Sequence, residues 1–270
     1  MRKFGLIGKK LGHSFSKKFF SEIFKNEGID AEYELYELEN IQQFEELKKD
    51  PDLVGLNVTI PYKEEIIPFL DELNPTAQAI GAVNTVKFVR KGDKTLLKGY
   101  NTDVIGFKSS FIPHLKPLHN KAIILGTGGA SKAVRYVLNE LGIESKFVSR
   151  SPKEGQFSYD ELNAEILQEY NIIINCSPIG MFPNIDDAPN IPYQYLNDKN
   201  YLYDLIYNPL LTRFCEIGKK HGATIQNGLE MLQGQAIASW VIWNRNDWRW
   251  SYLSKWFGDA TRTGYLLLED

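Results

Sequence analysis

Lys63 closes the run Asn57-Val58-Thr59-Ile60-Pro61-Tyr62-Lys63, in which an apolar, β-branched strand gives way to a proline and then to an ammonium. Proline removes a backbone donor and fixes φ, so the strand stops there and a helix can begin. Asn57 and Thr59 share one face of the strand. The lysine is then either ordinary solvated charge or a proton donor turned into a cleft. Three other short polar groupings sit where elements should end: Gly12-His13-Ser14-Phe15-Ser16, Gly81-Ala82-Val83-Asn84-Thr85 and Gly99-Tyr100-Asn101-Thr102-Asp103. Ser14 and Ser16, two apart in an extended segment, would point their hydroxyls the same way. Either also suits the N-cap of a helix starting near Lys17. Asn84 and Asn101-Thr102 also read as turn formers, and Asp103 as the cap of the next helix. Taken together, neutral hydrogen-bonding groups with one lysine and one aspartate are the inventory that a small polyhydroxylated acid needs.

A second kind of chemistry is written in AIILGTGGASKAVRYVL, where Gly126, Gly128 and Gly129 separate a β-branched strand from an Ala/Val-rich helix. Such a turn lets the backbone approach a pyrophosphate, with the helix N-terminus supplying amide donors and a positive dipole end. Ser131 stands where the full fingerprint has its last glycine, and a glycine turn alone also fits an ordinary tight turn. The next strand ends Ser149-Arg150-Ser151, with Lys153 beyond. An NAD site usually has an acid there for the ribose hydroxyls. A guanidinium in its place grips a 2′-phosphate, which favours NADP, unless Arg150 is only a solvated strand-end charge. Further on, IIINCSPIGM ends a strand with Asn175, Ser177 and Met181, near the nicotinamide side if the methionine is not simply core.

The elements that must position these residues alternate. Strand patterns over Phe4–Gly8, Tyr33–Leu38, Leu53–Ile60, Ala82–Val89 and Thr95–Tyr100 are interleaved with helical ones over Ser16–Asn26, Ile41–Leu47 and Pro61–Leu70, the last closed by Pro75. The last two strands would be joined through Arg90-Lys91-Gly92-Asp93. This predicts a mainly parallel sheet covered by helices, with a hairpin near its end. Asp103–His114 reads as a connecting helix. A second βαβ series starts at Lys121, with strands at AIILG, SKFVS, IIIN and YLYDLI and helices over Ser131–Leu141 and Met231–Trp243. Two α/β domains with a cleft between them follow.

Composition excludes much else. With 270 residues, 43% of them hydrophobic, and a net charge of −3 from well-mixed charges, the chain reads as soluble and globular. No basic stripe suggests nucleic acid, and no apolar run suggests a membrane span. Cys176 and Cys215 read as free cytoplasmic thiols, and no signal-peptide core follows Met1-Arg2-Lys3. His13, His114, His119 and His221 lack metal-ligand spacing, so no metal is expected.

GHSFS, NVTIPYK, AIGAVNT, GYNTD, GTGGAS, INCSPIGM, DLIYNP and NGLEMLQGQA, in this order from Phe4 to about Trp243, resemble the shikimate dehydrogenase family. The opening segment departs from the family pattern at Lys9-Lys10 and Lys17-Lys18-Phe19-Phe20, the cofactor strand at Ser149-Arg150-Ser151, and the later loop at Asn175-Cys176-Ser177. The resemblance implies a substrate-binding domain over residues 1–103, completed by a C-terminal helix over 229–243. It further implies a Rossmann NADP domain over 104–228, and leaves a tail, 244–270, without a role. The implied reaction is reversible NADPH-dependent reduction of 3-dehydroshikimate to shikimate, on the route to aromatic amino acids. A dual shikimate/quinate dehydrogenase, or a non-catalytic paralogue that binds shikimate-type acids, is the alternative. By position, Ser14 and Ser16 would hold the substrate carboxylate, with Tyr207 nearby. Thr59, Asn84, Asp103 and Gln235 would bind ring hydroxyls, and Lys63 with Asp103 would form the catalytic pair. NADP would be held by Gly126, Gly128, Gly129, Ala130, Ser149, Arg150, Ser151, Ser177, Met181 and Gly228. A cytoplasmic monomer or homodimer is expected.

Overall fold

A computed structural model of the chain describes residues 1–244 apart from His13 and Asp93, so the tail of unassigned role lies, beyond Asn244, outside the described residues. The elements run β1 (Arg2–Gly8), α1 (Phe15–Asn26), β2 (Ala31–Glu37), α2 (Phe44–Leu47), β3 (Leu53–Val58), β4 (Glu72–Leu73), α3 (Pro75–Ile80), β5 (Thr85–Lys91) and β6 (Lys94–Tyr100). They continue with α4 (Asp103–Phe111), β7 (Lys121–Leu125), α5 (Gly129–Glu140), β8 (Glu144–Ser149), β9 (Phe157–Ser158), α6 (Ala164–Glu169), β10 (Ile172–Asn175), β11 (Tyr201–Asp204), α7 (Arg213–Lys220), β12 (Thr224–Gln226) and α8 (Leu229–Asn244). Among the described residues two compact units result: Met1–Thr102 with Ala236–Asn244, and Asp103–Gln235.

The first unit is built on a sheet in the order β2-β1-β3-β5-β6-β4. The β1 pairs with β2 and β3 are parallel, and β5–β6 is the expected antiparallel hairpin. Alternation along β3 sends Leu56 and Val58 into a core with Ile7, Phe44, Tyr62 and Val86. Gly55 and Asn57 turn to the other face, where α8 lies. There Phe4 meets Trp240 and Trp243 at ring-centre distances of 5.4 and 5.0 Å, and Phe20 stacks on Tyr33 at 4.7 Å. A Cβ at Gly55 would run into the Trp243 indole, so glycine there lets α8 lie against the sheet. Trp243 Nε1 then reaches the Val86 carbonyl at 3.0 Å.

Three local expectations are corrected. Pro61–Leu70 is not an α-helix but a succession of turns ending in a 3-10 turn at Ile67–Phe69. Its backbone bonds mostly reach three residues back, as in Tyr62 to Thr59, Ile67 to Glu64 and Leu70 to Ile67. Pro61 and Pro68 carry no N–H and break any i→i−4 ladder. Pro75 does not close that segment; it opens α3, with the Asn74 side chain accepting from Thr76 N at 3.0 Å and Gly81 ending the helix at φ +69°. The strand expected from Ala82 accordingly starts at Thr85. Finally, Ser14 and Ser16 do not share an extended segment, because α1 already begins at Phe15.

The second unit is a parallel sheet in the order β12-β11-β10-β7-β8-β9. The chain enters at the centre with β7, winds outward through β8 and β9, then returns to the other side of β7 with β10. Winding direction therefore reverses between β7 and β10, the place where doubly wound sheets open a ligand crevice at their carboxyl ends. Ile123, Leu125, Val148, Ile173 and Leu202 fill its core. The connecting helix α4 sets Phe107 edge-on against Tyr203 and stacks Phe111 on Tyr201.

Candidate active site

In the first unit the polar residues at element ends meet on one loop, Gly81–Thr85. The Lys63 carbonyl accepts from Val83 N at 2.7 Å. The next residue, Asn84, accepts at Oδ1 from Thr102 N at 2.7 Å and from the hydroxyls of Thr102 and Thr85 at 3.1 Å each. Asn101 Nδ2 donates to the Ala82 carbonyl at 2.9 Å, while its Oδ1 is buried without a hydrogen-bond partner. Asp103, itself buried, follows Thr102 directly. Consecutive Cα atoms are about 3.8 Å apart, so the carboxylate's backbone is fixed by the same loop that fixes the lysine's. Lys63 is half-buried, between buried Tyr62 and exposed Glu64, and Thr59 is half-buried, its N–H bonded to the Ile7 carbonyl at 2.9 Å.

Ser14 and Ser16 part company at the start of α1. Ser14 caps the helix, its Oγ accepting from Lys17 N at 3.4 Å. Ser16 is buried and hydrogen-bonds the Tyr33 hydroxyl, which donates to Asn57 Oδ1 at 2.8 Å. Burial drives the Tyr33 phenol far above its usual pKa, so it stays a donor. Gln235 is buried on α8 with Nε2 donating to the Leu232 carbonyl at 2.9 Å. Tyr207 follows β11, half-buried, with its phenol pushed up by burial.

In the second unit the glycine turn joins β7 to α5. Gly126 has φ +99°, a left-handed conformation that only glycine adopts freely, and a Cβ there would press on the Cys176–Ser177 backbone at 3.3 to 3.4 Å. The turn after β7 and the loop after β10 thus adjoin at the point of reversed winding. Gly128 caps α5 with open space where a Cβ would be, and Ala130 follows in the first helical turn. Ser131, at the position without the third glycine, is fully buried and donates to the Gly128 carbonyl at 2.6 Å. Ser149, Arg150 and Ser151 cap the end of β8, the arginine exposed and the Ser149 hydroxyl accepting from Ser151 N at 3.1 Å. Ser177 bonds back to Asn175 Oδ1 through both N and Oγ, at 3.0 and 2.6 Å. Met181 is 47% exposed, so it is not core. Gly228 is buried against the Leu205 carbonyl, which a side chain would strike.

A model of the shikimate dehydrogenase substrate-binding domain matches residues 6–86. The shikimate dehydrogenase (NADP(+)) of Caldicellulosiruptor saccharolyticus is 42% identical over 261 residues, covering 90% of this chain and 92% of that protein. The chain belongs to the shikimate dehydrogenase family. Among solved members, shikimate dehydrogenase 1 of Peptoclostridium difficile is 36% identical, with a TM-score of 0.78 over 98% of this chain and 99% of that one. The shikimate 5-dehydrogenase of Thermus thermophilus, solved with NADP(H) and shikimate, is 28% identical, with a TM-score of 0.78 over 98% and 100%. The fold of a shikimate dehydrogenase, with a substrate domain and a Rossmann-type domain, is thus the fold class expected from the motifs.

Sequence reasoning noted Asn57, Thr85, Thr102 and Asn175 without giving them a supporting role, and it passed over Ser239 and Asp204. Thr85, Thr102, Asn57 and Ser239 are buried together in the first unit. Asn175 and Asp204 do the same in the second, Asn175 Nδ2 donating to Asp204 Oδ1 at 3.0 Å. For Asn57, Asn175 and Asp204 the signal was available: a lone polar residue ending or interrupting an otherwise apolar strand is buried and must find a partner. Among the described residues there is no metal-ligand cluster, and no helix is long and apolar enough to cross a membrane.

Proposed function

We propose that this chain catalyses the reversible NADP-dependent interconversion of 3-dehydroshikimate and shikimate, a step toward the aromatic amino acids, as the name of its relatives describes. The observation that carries the reading is the loop Gly81–Thr85, which bonds Lys63 through Val83 and Thr102 through Asn84, with Asp103 next in the chain. Two residues forty positions apart are held by neighbouring links of one loop, an arrangement that positioning chemistry needs and solvated charge does not.

A ketone that accepts hydride gathers negative charge on its oxygen. NADPH, when bound, supplies that hydride. The Lys63 ammonium gives its proton to the oxygen as the C–H bond forms, and in the reverse direction the amine takes it back. Asp103 orients the ammonium and accepts a hydrogen bond from the product hydroxyl. Ser14 and Ser16, at the positive end of the 12-residue α1, suit the substrate carboxylate, to which Tyr207 is also assigned. Thr59, Asn84 and Gln235 are assigned to the ring hydroxyls.

The nucleotide fits the second unit on its own terms. Open space over Gly128 at the start of α5 accommodates a pyrophosphate, with Gly126, Gly129 and Ala130 around it. Arg150, between Ser149 and Ser151, is assigned to the 2′-phosphate, Ser177 and Met181 to the nicotinamide side, and Gly228 to the same crevice. We assign residues 1–103 and 229–243 to substrate and 104–228 to NADP. A cytoplasmic monomer or homodimer, acting on small molecules and not on nucleic acid, is the matching cellular reading; the mixed charges and net −3 support it.

The test is steady-state reduction of NADP+ by shikimate. Lys63→Ala should cut turnover on the order of 100-fold or more with little change in NADP binding. Near-normal turnover would remove Lys63 from the mechanism, and faster oxidation of quinate than of shikimate would replace the substrate.

A further inference from the structure

The Asn84 side chain is oriented by a buried hydroxyl cluster that reaches across to α8. Thr85 Oγ1 and Thr102 Oγ1 lie 3.1 Å apart, and Ser239 Oγ lies 2.8 Å from the first and 3.2 Å from the second. All three residues are fully buried. Both threonines give their hydroxyl hydrogens to Asn84 Oδ1, which leaves their lone pairs toward the rest of the cluster. Asn57 Nδ2 enters from β3, donating to Ser239 Oγ at 2.9 Å and, more loosely, to Thr85 Oγ1 at 3.3 Å. Asn57 cannot flip its amide, because its Oδ1 already accepts from Tyr33. The network therefore runs from Ser16 through Tyr33, Asn57 and Ser239 to the pair that holds Asn84.

The consequence lies at Asn84. Its carbonyl oxygen accepts from three donors on its own unit, so which end of the amide carries oxygen and which nitrogen is fixed. Thr102, the residue before Asp103, is held by the same cluster.

We infer that Ser239 is a positioning residue of the reaction: through Thr85 and Thr102 it fixes the orientation of the Asn84 amide and steadies the backbone that carries Asp103. The inference rests on the proposed reaction, in which Asn84 and Asp103 meet substrate. It adds a residue that never touches substrate and lies one helical turn beyond Gln235, on the same side of α8.

Threonine and valine at position 239 have nearly the same shape and differ in the hydroxyl, so the pair Ser239→Thr and Ser239→Val separates hydrogen bonding from packing. With NADP+ saturating, kcat/KM for shikimate should be about tenfold lower for Ser239→Val than for Ser239→Thr, the loss expected for one buried hydrogen bond. KM for NADP+ should differ by less than about twofold between them, since only substrate-side groups are disturbed. Ser239→Ala, which adds no bulk, should fall with the valine variant and serves if the larger side chains prevent folding. Equal kcat/KM for shikimate in the threonine and valine variants, or for Ser239→Ala and the wild-type protein, overturns the role of Ser239. So does a loss that appears equally in KM for NADP+. A wild-type protein that leaves shikimate and NADP+ unreacted sinks the reaction and this role together, whereas active wild type with indifferent Ser239 variants sinks this role alone.

Discussion

Replacing Asp204 by asparagine should stabilise the protein at neutral pH. Asp204 ends β11 fully buried; Oδ1 accepts from Asn175 Nδ2 and Ile206 N at 3.0 Å each, and Oδ2 from Thr212 Oγ1 at 2.7 Å. Those donors favour the carboxylate, yet removal from water outweighs them and raises the group from 3.8 to about 6. The folded protein thus holds this proton more tightly than the unfolded chain does. The stability it contributes is fully present below about pH 3.8 and is lost as the pH climbs through about 6. Above that point a shift of about two units amounts to about 3 kcal/mol of lost stability, since one unit is about 1.4 kcal/mol. Asparagine keeps the two Oδ1 bonds and sets an N–H opposite the Thr212 hydroxyl, which can accept it. Urea denaturation of both proteins at several pH values reads the effect. Asp204→Asn should be about 1–3 kcal/mol more stable at pH 7.5, and the difference should shrink toward pH 4. A constant difference across that range, or a less stable variant at pH 7.5, would refute the claim that burial dominates the carboxyl group.

Two further outcomes follow from the second unit. Arg150→Ala should raise KM for NADP+ by roughly 10- to 100-fold, the loss of a charge-assisted pair, while leaving activity with NAD+ nearly unchanged; equal losses with both nucleotides would deny Arg150 the 2′-phosphate. Gly228→Ala drives a methyl into the Leu205 carbonyl and should cost about 1–3 kcal/mol, read as a fall in thermal midpoint; an unchanged midpoint would mean that the backbone there gives way easily.

What could be read in advance divides by range. The β7 strand, its glycine turn and α5 were legible because strand, turn and helix signals are adjacent in sequence. Strands β10 and β11 were legible as short apolar runs, and α8 as a long one. Pro61–Leu70 was misread because apolar residues at helical spacing hid Pro68, whose missing donor decides the backbone. Pro75 reads as a stop on its own, but with Asn74 before it as a cap it is a first helical residue. Lys63 and Asp103 stood out by type and by motif. Ser239 did not, because it pairs with Asn57 182 positions away, and nothing local distinguishes a serine in an apolar helix from one that caps a network.

The last helix also bears on how the protein is made. Phe4, Phe20 and Phe24 emerge from the ribosome early, yet the indoles that cover them, Trp240 and Trp243, are among the last described residues to be added. The sheet laid down first is therefore sealed last, after the whole intervening Rossmann-type unit has been synthesised. An N-terminal piece ending at Thr102 would be a half-finished object with bare aromatic surface, which makes premature termination more hazardous at that boundary than the tidy division into two units suggests.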